Sequence, residues 1–147
     1  MSDIREFVLF KLNEEYYGID INIVENIEKV LPITRVPYTQ NYMEGVINLR
    51  GNIVPVVDLR ARFGLEKKES TDESRIIITN IDEIKIGMLV DASSEVSQLS
   101  QDEIDLAPSI NRDIDADFIK NVGKKDGRII MLLNLKKVLG IEETEEE

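Results

Sequence analysis

Gly45–Arg60 reads GVINLRGNIVPVVDLR, two runs of β-branched and apolar residues on either side of a polar break. Runs of this kind bounded by a turn signal form β-hairpins. Gly51-Asn52 supplies the signal, because tight hairpin turns need a positive φ that glycine and asparagine adopt at little cost. Pro55 has no backbone N–H, so its strand is expected to lie at a sheet edge or to break there. Asp58 followed by Leu59 has the form of a helix cap, and the turn LRARFGLE closes at Gly64. One charge is out of place. Arg50 stands at the hinge of the most apolar hairpin in the chain.

The hairpin recurs. GNIVPVVDLRARFGL from Gly51 matches GRIIMLLNLKKVLGI from Gly127 at a spacing of 76 residues, which pairs Ile53 with Ile129, Asp58 with Asn134 and Gly64 with Gly140. Upstream, REFVLFKLNEEYYGIDINIVENI from Arg5 resembles RIIITNIDEIKIGMLVDASSEV from Arg75. Gly18 and Gly87 set that spacing at 69, pairing Leu9 with Ile78, Leu12 with Ile81 and Ile27 with Val96. Two segments repeated in the same order argue for a duplicated unit. Each unit is about the minimum for a core of its own, so the two should share apolar surface. The second copy lacks the arginine, and Lys124 or Lys125 falls beside its turn.

Ahead of the quoted hairpin, EFVLFKL and YYGIDI read as strands around a polar turn. Asn22 with Glu25 resembles a capping box, and Ile23, Ile27, Val30 and Leu31 recur at helical spacing, so a short helix ending before Pro32 is expected. Glu66–Ser74 is a polar loop and the approximate division between the two units, with exchange of strands across it left open.

Composition narrows the function. The chain has 147 residues, a formal charge of −11 and a pI near 4.6, and its cations are nowhere clustered. Nucleic acid and anionic membrane surfaces are therefore poor partners. There is no cysteine and no histidine, which removes disulfides, thiolate metal sites and the usual base near neutral pH. The N-terminus lacks the pattern of a signal peptide and no apolar run could span a bilayer, so a cytoplasmic protein is expected. A hydrolase using two of the 29 acidic residues is the alternative from the enzyme class, and requires two acids with raised pKa in one hollow. A small-barrel module for other peptides is the other alternative.

YGIDINIVENI, VPYTQNYMEGVINLRGNIVPVVDLRARFG, IGMLVDASSEV and GRIIMLLNLKKVL together resemble the CheW family of chemotaxis coupling proteins. The resemblance runs from about Glu6 to Ile141, and gives a domain at 5–142 with an acidic tail at 143–147. It implies a mainly β fold, two intertwined five-stranded SH3-like β-barrels with short helices. It implies no catalysis, no cofactor and no metal. The implied partners are the regulatory domain of the histidine kinase CheA and the cytoplasmic tips of methyl-accepting chemoreceptors. The chain alone would be a monomer, recruited without membrane insertion to receptor arrays. The family often has Glu where this chain has Asn26, which leaves Glu25 or Glu28 as the acid facing Arg50.

Four positions match the receptor-facing groove of the family: Val24, Gly45, Asn48 and Arg50. Each also has a plainer reading. Val24 can be packing beside Ile23 and Ile27. Gly45 meets a need for close backbone approach, offers a smooth floor to a partner helix, or does both. Asn48 can fix the turn. Arg50 is either a surface arginine paired with Glu28, Glu44 or Asp58, or a planar fork that spans two partners. Leu106 and Ile110, apolar in an aperiodic stretch around Pro108, are candidates for the kinase-facing surface.

Overall fold

A computed structural model describes residues 4–37, 40–106 and 118–141 of the chain. The elements are β1 (Ile4–Leu12), β2 (Glu15–Asp20), β3 (Val24–Lys29), β4 (Met43–Leu49), β5 (Asn52–Asp58), α1 (Leu59–Arg62), β6 (Arg75–Ile81), β7 (Ile84–Val90), β8 (Ala92–Ser100), β9 (Ile104–Leu106), β10 (Ile119–Lys125), β11 (Arg128–Leu133) and α2 (Leu135–Leu139). The fold is mainly β, as expected. One sheet has five strands, in the order β3-β6-β7-β5-β4, and the other has six, β8-β1-β2-β11-β10-β9.

The duplication is visible in the registers. In the first repeat Leu9 opposes Gly18, and in the second Ile78 opposes Gly87, both positions 69 apart. Gly18 also lies beside Leu132 in a parallel pairing of β2 with β11, and Gly87 beside Val56 in a parallel pairing of β7 with β5. Val56 and Leu132 are 76 apart. Each sheet therefore joins the first hairpin of one repeat to the second hairpin of the other. The loop 66–74 connects α1 to β6, and strands on either side of it belong to the same sheet. The chain changes sheet instead between β2 and β3 and between β7 and β8, so the exchange of strands, not the midpoint loop, organises the molecule.

Exchange demands strands apolar on both faces, and their sequences supply them. Phe7 and Leu9 fill the six-stranded barrel with Leu99, Ile130 and Leu132. Ile47, Leu49, Val54, Val56, Ile76 and Ile78 fill the other. The alternate residues Val8, Phe10 and Leu12 of β1, with Ile77 and Ile81 of β6, form the core between the sheets, where the rings of Phe10, Tyr17, Phe63 and Phe118 follow one another at 5.5–5.6 Å. Strands buried on both sides read as continuous apolar runs.

Three local expectations are corrected. The stretch around Ile23–Leu31 is not a helix. Asp20 caps a single 3-10 turn at Ile21–Ile23 through Asn22 N–H, and β3 follows. Its residues alternate between half-buried (Val24, Asn26, Glu28) and exposed (Glu25, Ile27, Lys29), so Ile27 lies on the outer face. The hairpin turn is Arg50-Gly51 rather than Gly51-Asn52: Leu49 opposes Asn52, and φ is 51° at Arg50 and 89° at Gly51. Its counterpart is Asp126-Gly127, so an aspartate, not Lys124 or Lys125, occupies the place of Arg50. Pro55 lies in an interior strand, opposite Val46, whose own N–H and carbonyl are bonded to Thr34. Pairing with β7 starts one residue later, at Val56, so the break falls on the β7 side.

The ends of the hairpins are tied across the sheets. Arg60, 7% exposed, donates to Asn13 in the β1–β2 turn at 2.8 Å and pairs with Asp91 at 2.8 Å. Its counterpart Lys136 pairs with Asp82 in the β6–β7 turn at 3.0 Å. A β-carbon on Gly87 would lie 2.8 Å from Ile76 Cγ2 and 3.4 Å from Val56 Cγ2. Gly87→Ala is expected to cost about 1–3 kcal/mol by overpacking the crossing, measured by urea denaturation. An unchanged midpoint would contradict the role given to this glycine.

Candidate functional site

Arg50 and Asn48 stand at the tip of the β4–β5 hairpin. Asn48 Oδ1 accepts the Gly51 N–H at 2.9 Å, which holds the turn and with it the left-handed conformation of Arg50. The Arg50 side chain is 69% exposed, and its Nη2 meets Glu28 Oε2 on β3 at 3.0 Å. Asn26, on the same face of β3, donates its side-chain amide to that same Glu28 oxygen. Glu28 is thus the acid facing Arg50. Glu25 is engaged elsewhere, with Asn80 at 3.0 Å and Lys85 at 3.5 Å, and the Asn80 bond is the main reason its carboxyl is held below the usual range. An exposed pair of this kind contributes little stability, roughly 0–1 kcal/mol.

Gly45 sits lower in the hairpin, at a bulge in the β4–β5 register. Its φ is 150°, and a β-carbon there would fall 2.2 Å from the Thr34 carbonyl oxygen. Thr34 makes both backbone bonds to Val46 at 2.9 Å, closing the five-stranded barrel between the segment after β3 and β4. Close approach of the chain to itself accounts for this glycine. Val24, at the start of β3, packs against the core between the sheets. The fold therefore gathers Asn26, Glu28 and Arg50 into one bonded group, with Asn48 holding the turn, Gly45 shaping the strand beneath and Val24 at the other end of β3.

Leu106 is 83% exposed on β9, a three-residue strand at the edge of the six-stranded sheet, opposite Asn121. Ile110 and the acidic tail lie outside the described residues. The sequence missed β9 because three residues carry no period, and missed the buried Arg60 because it reads as an ordinary helix-surface cation.

Many of the described acids are engaged in ion pairs and caps. Asp58 caps α1, its Oδ1 accepting the Arg60 N–H at 3.1 Å. Burial raises its pKa, with Glu44 adding to the effect. Glu44 itself pairs with Lys67 at 3.5 Å. Asp58 is committed to backbone, which is not the free acid pair a hydrolase needs. Among the described residues no group of three or more acids is arranged to hold a metal ion, and no helix is long and apolar enough to cross a membrane.

Comparison with known proteins follows the same geometry. Residues 6–143 match the family model of the CheW-like domain. The chain is 37% identical over 142 residues to the chemotaxis protein CheW of Bacillus subtilis, covering 96% of this chain and 90% of that protein. It is 35% identical over 141 residues to the CheW of Rhizobium meliloti, covering 96% and 91%. The crystal structure of the scaffolding protein TtCheW from Thermoanaerobacter tengcongensis superposes with a TM-score of 0.87 at 38% identity, covering 98% of both chains.

Two outcomes separate packing from docking at these positions. Gly45→Ala is expected to lower stability by at least about 3 kcal/mol, since alanine meets both the strained φ and the Thr34 carbonyl. A melt matching that of the unsubstituted chain would contradict this. Asp58→Asn keeps a side-chain oxygen that can accept the Arg60 N–H but carries no titrating proton. A carboxyl with a raised pKa holds more protons folded than unfolded, so its contribution to stability grows as pH falls and is complete below the ordinary aspartate value of about 3.9. Chemical denaturation between pH 7 and pH 4 should show the unsubstituted chain gaining on Asp58→Asn with acidification; parallel profiles would contradict it.

Proposed function

The chain belongs to the family of CheW-like domains, the coupling scaffolds of chemotaxis, and from that premise we propose that it joins two partners and performs no reaction of its own. One partner is the cytoplasmic tip of a chemoreceptor, met by the β3 face and the β4–β5 hairpin through Val24, Asn48 and Arg50. The other is the regulatory domain of the histidine kinase CheA, met by the edge that carries Leu106. Localisation follows the partners: cytoplasmic, at receptor arrays.

The observation that carries the reading is the asymmetry of the repeats. The two hairpins share register and turn conformation, yet the first places an exposed arginine at its tip and the second an aspartate. Folding needs the hairpin twice. It needs the arginine neither time, since Arg50 is mostly solvated and its pair adds little. An exposed planar donor held at a fixed turn suits recognition of another protein. On β9, Leu106 offers an apolar side chain beside a short strand edge, the kind of element that accepts a partner's apolar surface.

The test is co-elution on size exclusion of the full chain with a soluble receptor cytoplasmic fragment and, separately, with the kinase regulatory domain. Both complexes are expected to form. Arg50→Ala should weaken the receptor complex roughly tenfold while leaving the kinase complex intact, and Leu106→Arg should do the reverse. Failure of either complex to form would overturn that half of the reading.

A further inference from the structure

In each sheet an arginine at the tip of the second hairpin meets an acid on β3 or β8, at positions offset by two residues between the repeats. In the six-stranded barrel Arg128, the first residue after the turn, forms two bonds to Glu95 on β8, at 2.9 and 3.3 Å, and stacks on the Tyr16 ring at 4.4 Å. Arg128 is 32% exposed. The Glu95 bonds hold that carboxyl below its usual range, chiefly through Arg128. In the first repeat the matching positions are Asn52 and Asn26, both neutral. The arginine has moved to the turn itself, Arg50, and the acid two residues along β3, Glu28. Asn26 does not replace Glu95 as a partner of the arginine. It donates to Glu28 instead.

A carboxylate at 26 would give Arg50 the two-oxygen grip that Glu95 gives Arg128, because bidentate Arg–carboxylate pairs are strong and fix the guanidinium plane. With asparagine there, Arg50 makes a single ion pair through Nη2 among the described residues, and its remaining N–H groups face solvent. Resting on the receptor reading above, we infer that Asn26 is a specificity-determining residue: by steadying Glu28 without adding a charge, it leaves Arg50 free to grip a carboxylate side chain of the receptor tip. The partner is thus defined by an acidic residue at the contact. The local charge matters more than usual in a chain of net charge −11, where one further acid beside Arg50 would both capture it and repel the partner's acid.

The experiment is isothermal titration of the full chain with a soluble receptor cytoplasmic fragment at two salt concentrations. Asn26→Glu is expected to weaken binding about tenfold and to flatten its salt dependence. The double variant Asn26→Glu with Glu28→Gln restores a single acid at the site, and should recover most of that loss. Equal binding by Asn26→Glu, or a loss that the second substitution does not reverse, would overturn the assignment of Asn26 while leaving the receptor reading in place. No binding by the unsubstituted chain would overturn the receptor reading itself, and this inference with it.

Discussion

The molecule depends on two parallel strand crossings, β2 on β11 and β7 on β5, each with a glycine at one end of its register. Parallel neighbours need long connections, and here α1 and β6 lie between β5 and β7, and most of the chain between β2 and β11. Consequently neither repeat can complete a sheet from its own hairpins, and the core between the sheets draws on both. Gly18 and Gly87 permit the crossing because isoleucine and leucine side chains from the neighbouring strands occupy the space a β-carbon would take. Arg60 with Asn13 and Asp91, and Lys136 with Asp82, fasten each helix of one sheet to a hairpin turn of the other. Arg60 and Asp91 are largely shielded from solvent, and removing one leaves the other uncompensated, so this tie acts against any sliding of the barrels, whereas the more exposed Lys136–Asp82 pair adds little. The result is a single body with two outward faces, which suits a protein that holds others in place.

Within that body the repeats have diverged where the fold is indifferent. Turn conformation and bulge position are shared, because each is enforced by backbone geometry. Side chains at the hairpin tips are not enforced by packing. Arg50 against Asp126 and the asparagines at 26 and 52 against Glu95 and Arg128 mark that freedom. In the six-stranded barrel the arginine is absorbed into the structure by a ring and a two-bond acid. In the five-stranded barrel it remains at the surface, paired among the described residues with Glu28.

Much of this was legible in the sequence, and what was not has physical causes. The repeat was readable because strands buried on both faces admit few residues besides Ile, Val, Leu and glycine, so register leaves a trace in spacing. Family membership was readable from the same hairpins. The span after Asp20 misled because Ile23, Ile27, Val30 and Leu31 happen to fit a helical period. Pairing with β6 overrides that local pattern and turns Ile27 outward. The turn was misplaced by one residue because Asn52 tolerates positive φ better than Arg50 does, and only the cross-strand partner decides. Glu28 was one of several acids open to Arg50, and the choice awaited the strand that faces it. Of the candidate contacts, Arg50 and Asn48 were brought together, Gly45 proved to serve the chain's own closure, and Leu106 lies on a separate edge.

The central claim is that hairpin exchange makes the two barrels one cooperative unit. Native-state hydrogen exchange across a denaturant series tests it most directly, by following amides along the two parallel crossings in both sheets. The account predicts that those in β2 and β11 and those in β5 and β7 merge into one opening reaction, with a common free energy and a common denaturant dependence. Two separate reactions, one for each barrel and with different denaturant dependence, would contradict it.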